Sequence, residues 1–100
     1  MGRRETAERQ GRIELELMEE RAAALRRISQ TLESLIEKLQ ALRARLGDVH
    51  WSNPSPEVAE YRELRRRAVR YRWYLEVQRE ALGLHPDHRL DEFYSIPAPI

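Results

Sequence analysis

Met18, Leu25, Leu32, Leu39 and Leu46 recur at every seventh position, and Ile28, Leu35 and Leu42 recur at the same interval three places on. Two apolar rows offset in this way make the a/d seam that keeps one stripe of an α-helix against a partner helix. The seam holds over four repeats, through MEERAAALRRISQTLESLIEKLQALRARL. No strand can use a seven-residue period, so this stretch commits the chain to helix packing. It describes an architecture and carries no catalytic signature.

A second helix answers the first. Ser55 supplies an N-cap, Pro56 occupies the first-turn position proline tolerates, and Glu57 complements the positive end of the helix. Tyr61, Ala68, Leu75 and Leu82 form one heptad row, while Leu64 and Tyr71 form another that Gln78 interrupts. Gly47 and Gly83 stand where each helix should stop. The connection, residues 47–55, is short and turn-rich, which favours antiparallel neighbours. Folding back sets Tyr61 and Leu64 beside Leu39 and Leu42, Ala68 near Leu35, Leu75 near Ile28 and Leu82 near Met18. Val49 and Trp51 are expected to plug the turn end.

The expected fold is therefore all-α: an antiparallel two-helix coiled-coil hairpin over 18–84. Helix one runs to about 46, the loop covers 47–55, and helix two covers 56–83. Residues 1–17 form an N-terminal helical overhang, with a start or fraying point between Arg4 and Arg12, because Gly11 costs about 1 kcal/mol against alanine. Residues 85–100 form a tail. Asp87 caps a short helical turn over 88–94 that sets Leu90, Phe93 and Tyr94 on one side, and SIPAPI beyond it is extended. A tail folded back along the hairpin is expected to reach toward the overhang; one crossing to another subunit would strap a dimer.

Three apolar groups have no place in a lone hairpin. Ile13, Leu15 and Leu17 lie on the overhang, off the heptad register. Val69, Trp73 and Val77 step by four along the second helix on the side away from its seam, with Leu84 continuing the line. Leu90, Phe93, Tyr94 and Ile96 crowd the tail. An amphipathic helix with one partner shows one apolar face, so two faces imply two partners. Ile13, Leu17, Val69, Trp73, Val77, Leu90, Phe93, Tyr94 and Ile96 are thus the expected protein interface. A homodimer, completing a four-helix bundle, is the expected assembly.

Other chemistries are weighed against simpler roles. Arg62, Arg66 and Arg70 share one stripe at four-residue spacing with aromatic residues interleaved, a candidate contact for phosphate or single-stranded nucleic acid. Against it, 18 basic and 17 acidic residues nearly cancel, and Arg65 and Arg72 are expected to flank the seam and pair with acids such as Glu33 and Glu37. His85 and His88 with Asp87, Asp91 and Glu92 match no strong metal-ligand spacing, and His50 lies at the opposite end of the hairpin. With 0 cysteines there is no thiolate site or disulfide. LRRISQ is similar to the opening of helical chorismate mutases at Leu25, Arg26 and Ile28, but it lacks the aspartate of that pattern and its seam is leucine where such a site needs inward polar groups. Arg21 and Gln78, expected as neighbours in d positions, suit register setting better than chemistry.

The sequence thus points to a non-enzymatic assembly or adaptor protein, with no cofactor and no metal, acting on other polypeptides. The alternative is a small nucleic-acid-binding protein using the Arg62–Arg72 segment, and a weaker one is a helical enzyme with a site between subunits. No apolar run reaches the length of a membrane span and no hydrophobic leader follows the first residues, so the expected setting is cytoplasmic.

Overall fold

The computed structural model describes residues 2–48, 55–87 and 89–100. Helix α1 spans Arg3–Leu46, α2 spans Pro56–Ala81 and the short α3 spans Leu90–Phe93. Val49 and Trp51, expected to close the turn, lie outside the described residues, as do His50 and His88.

The helix ends follow local chemistry. The Ser55 hydroxyl oxygen accepts from the Val58 N–H at 3.1 Å, satisfying a donor of the first turn, with Pro56 opening the helix. Gly47 takes φ 57° and its N–H returns to the Arg43 carbonyl, stopping α1. At the far end of α2, Gly83 adopts φ 75°; its N–H bonds the Glu80 carbonyl and the Leu84 N–H reaches back to Arg79. That pair of bonds is a Schellman motif, which needs a left-handed residue at its centre and so favours glycine. Helix α1 does not wait for Gly11. It begins at Arg3, where both the N–H and the hydroxyl of Thr6 bond the Gly2 carbonyl. Arginine, glutamate and alanine around Gly11 are good helix formers, and their sum outweighs one glycine.

The 44 residues of α1 make a rod of about 66 Å, which sets the molecule's long dimension of 73 Å. The 26 residues of α2 cover about 39 Å of it. Two contacts fix the antiparallel register. Near the turn, Arg43 donates to the Tyr61 hydroxyl at 3.1 Å; at the other end, Arg21 donates to the Ala81 carbonyl at 3.4 Å. The core runs from about the middle of α1 to its turn end: Leu32, Leu35, Ile36, Leu39, Leu42 and Leu46 from α1, Val58, Tyr61, Ala68 and Leu75 from α2, and Leu90. Small Ala68 is fully buried in this row of large residues, the alternation that lets the two helices approach. Leu25 and Ile28 are only partly buried, and Met18 is exposed. The seam thus outruns its partner: α2 ends opposite Arg21, one turn short of Met18. Arg21 reaches the Ala81 carbonyl, not the Gln78 side chain.

The tail forms a third layer, and its direction differs from the expectation. It leaves the Schellman turn and runs back beside α2 toward the interhelical connection, away from the overhang. Leu90 is buried, and Tyr94, Ile96 and Ile100 pack on the hairpin core. Ile36, outside the two heptad rows, also belongs to the core. Phe93 departs from the expected apolar side of α3: it is 75% exposed.

Candidate functional site

The tail is held by a row of arginines. Arg65, Arg72 and Arg79 recur at every seventh residue on the flank of α2 beside its seam. Arg79 donates to the His85 carbonyl at 3.4 Å, Arg72 pairs with the Asp91 carboxylate at 2.6 Å, and Arg65 donates to the Pro97 carbonyl at 3.0 Å. As α2 is followed backward the tail advances, six residues for each seven. At the end of the strap the Ala98 carbonyl accepts from both the Tyr61 hydroxyl, at 2.7 Å, and Arg43, at 2.8 Å. Arg62 donates to the Ile100 main-chain oxygen at 3.2 Å. Proline leaves the extended segment's carbonyls without intrasegment partners, and guanidinium forks are suited to collect them.

This geometry replaces the expected pairing of Arg65 and Arg72 with Glu33 and Glu37. Among the described residues, no ion pair joins α1 to α2. The reason is reach: the tail lies directly over the flank these arginines occupy. Arg72, with its side chain only 13% exposed, bridges Glu76 at 2.7 Å and Asp91 at 2.6 Å. Of the candidate nucleic-acid contacts, Arg62 is engaged with the tail and Arg66 is paired with Glu63 at 2.6 Å, while Arg70 is exposed. The hydrogen bond and charge of Arg66 hold the Glu63 carboxyl below its ordinary range.

Asp87 organises the tail's turn. Its carboxylate accepts from the Arg89 N–H at 2.9 Å and its carbonyl from the Leu90 N–H at 3.0 Å, so it starts α3 much as a cap would. The Arg89 N–H, followed by the Arg89 side chain, keeps the Asp87 carboxyl below its usual range. Between this turn and the end of α2 is a cavity of about 220 Å³, lined by Arg72, Arg79 and His85 among four carboxylates, Glu76, Glu80, Asp87 and Asp91. The Nε atoms of Arg72 and Arg79 are buried there with no hydrogen-bond partner among the described residues. Among those residues no three His, Asp or Glu side chains come together so that they could hold a metal ion. Among the described residues, none that lines the cavity carries a hydroxyl or a thiol.

The expected interface residues separate into two sets. Leu90, Tyr94 and Ile96 pack on the chain's own hairpin. Ile13, Leu17, Val69, Trp73, Val77 and Phe93 remain exposed. Trp73 is 59% exposed and lies 5.6 Å from the Tyr74 ring, with Val69 and Val77 one turn to either side. Ile13 and Leu15 on the overhang are 59% and 60% exposed. Two separate apolar surfaces therefore remain, one on the outer face of α2 and one on the unpartnered end of α1. The arginine clasp escaped the sequence reading, although the seven-residue spacing of Arg65, Arg72 and Arg79 was its visible signal.

No helix among the described residues is long and apolar enough to cross a membrane. Compared with known proteins, the chain matches no family model, no curated protein and no solved structure. Its class is that of a helical hairpin strapped by its own tail, and its activity must be argued from its surfaces.

Proposed function

We propose that this is a non-enzymatic coiled-coil assembly or adaptor protein that works as a homodimer and offers helical faces to other polypeptides. The observation that carries the reading is the stripe Val69–Trp73–Val77. It lies on the side of α2 that neither α1 nor the tail covers, and its tryptophan stands in water. A large aromatic flanked by valines one turn away is the pattern of an anchor in a helix-to-helix contact. Packed on its own copy, the stripe would join two hairpins into a four-helix bundle.

The polypeptide reading is favoured over nucleic acid because Arg62 and Arg66 already have partners within the chain. Light scattering at micromolar concentration tests the proposal, with a dimer as the expected result. A monomer, together with a Trp73→Glu variant of unchanged melting temperature, would remove it. Salt-resistant binding of a labelled single strand, lost on joint substitution of Arg62, Arg66 and Arg70 by alanine, would replace it with the nucleic-acid reading.

A further inference from the structure

The side of the hairpin opposite the tail carries a second groove between α1 and α2. It has a volume of about 380 Å³, and Arg27, Lys38 and Arg67 line it together with Gln30, Thr31 and Ser34 over a floor of Leu35. The Arg43–Tyr61 and Arg21–Ala81 contacts set Arg67 level with the stretch from Ser34 to Lys38. The whole chain is nearly neutral, yet among the described residues no carboxylate lines this groove. Glu33 and Glu37, the acids of α1 between Arg21 and Leu46, fall on its outer face by the helical period. Most arginines of α2 are occupied: Arg62, Arg65 and Arg79 hold tail carbonyls, Arg66 holds Glu63 and Arg72 holds Asp91. Among the described residues, no ion pair reaches Arg27, Lys38 or Arg67. Beyond Lys38 the groove continues past Ala41 to Arg45, with Glu60 on its α2 rim.

We infer that this groove binds single-stranded nucleic acid through its backbone phosphates. The site lies on neither the α2 stripe nor the tail flank, so it goes beyond the polypeptide reading and is compatible with it. Cations gathered without a counter-charge leave a positive potential that an anion relieves. The cations are strung out, with about 16 Å of α1 from Arg27 to Lys38 and about 10 Å more to Arg45, which suits phosphates in series better than one compact ion. A crevice between two packed helices, about 8–10 Å from axis to axis, is too narrow to receive a duplex. An acidic helix is disfavoured because the floor leucines, Leu35 and Leu42, are sealed and offer no apolar anchor. Bases have a surface at hand. Tyr71 and Tyr74 follow Arg67 along the same flank of α2 and meet edge to face with centroids 5.5 Å apart, and Tyr74 is partly exposed.

Fluorescence anisotropy of a labelled oligothymidylate with the full-length protein tests the inference. At about 50 mM salt the Kd should be about 1–100 µM, and log affinity should fall with log salt at a slope of about −2 to −3. Joint Arg27→Glu, Lys38→Glu and Arg67→Glu substitution should weaken binding by about tenfold or more and flatten the slope by about two. All three side chains are exposed, and circular dichroism verifies that the helices persist. A charge-matched control, Arg3→Glu, Arg9→Glu and Arg12→Glu on the overhang, should lose no more than about threefold. No binding by the wild-type chain overturns the inference, as do equal losses in the two variants or a salt slope that does not change. A larger loss on Arg62, Arg66 and Arg70→Ala overturns it in favour of that stripe. Displacement of the strand by polyglutamate as readily as by unlabelled strand overturns it in favour of an acidic polypeptide. The homodimer is read separately by light scattering and stands or falls independently.

Discussion

The hydroxyl of Tyr61 donates to the carbonyl of Ala98 at 2.7 Å, across 37 positions of sequence, from a side chain with no exposed surface. Arg43 donates to the same carbonyl and to the phenol oxygen, so the three groups close a triangle at the end of the strap. Helix α1, helix α2 and the tail meet there. Tyr61→Phe keeps the ring and removes the hydroxyl, and should cost about 1 kcal/mol in urea unfolding with an unchanged slope.

The arginine row predicts an asymmetry. Asp91 is largely in water, so Asp91→Asn should change stability by no more than about 0.5 kcal/mol. Arg72 is enclosed by the tail and buries its stem as well as its charge. Arg72→Ala should therefore cost more, about 1–2 kcal/mol, in the same unfolding experiment. Equal losses for the two variants would show that the ion pair, and not the packing of the stem, carries the contact.

The tail's apolar residues should divide by burial. Leu90→Ala removes a buried side chain and should cost about 2–3 kcal/mol. Phe93→Ala, three residues on, should stay within about 0.5 kcal/mol because its ring is exposed. Deleting residues 86–100 should lower the melting temperature further than either substitution, as scanning calorimetry would record.

Gly83 should resist substitution for a backbone reason alone. A Cβ there meets nothing within 4 Å, but φ is 75°, where L-residues are strained. Gly83→Ala should cost about 1–2 kcal/mol, and Gly83→Asn less, since asparagine tolerates that region. Thermal unfolding of the two variants side by side checks the order.

Acid should loosen the tail's turn before it unfolds the helices. Folding lowers the Asp87 pKa, chiefly through the Arg89 N–H, so its contribution is complete above the ordinary carboxylate value of 3.8. It is lost as pH falls through the lower, folded value. Amide resonances of Arg89 and Leu90 should titrate in that acid range, and Asp87→Asn should remove the transition.

The hairpin was legible because its information is local and periodic. Heptad spacing, Ser55 before Pro56, and glycines at 47 and 83 each specify a helix or its end without reference to distant residues. The tail's path was not legible. It depends on main-chain carbonyls of Pro97, Ala98 and Ile100 finding Arg65, Tyr61, Arg43 and Arg62, and carbonyls leave no trace in a residue pattern. The arginines themselves were visible, but a flank of long cations reads equally well as a solvated surface. Phe93 shows the limit of composition: an aromatic near buried neighbours can still point to water when the turn holding it is a single one.

The burial along α1 is lopsided, from a sealed stretch between Leu32 and Leu46 to an open one between Arg3 and Glu20. One unbroken helix in geometry is thus two in cooperativity. Amide protons in the sealed stretch should exchange only with global unfolding, while those near the N-terminus exchange by local fraying in the single chain. The protection boundary should fall near Arg21, where α2 ends. Anything that docks on the open stretch will be read out as a slowing of exchange there, long before it alters the melting temperature of the hairpin.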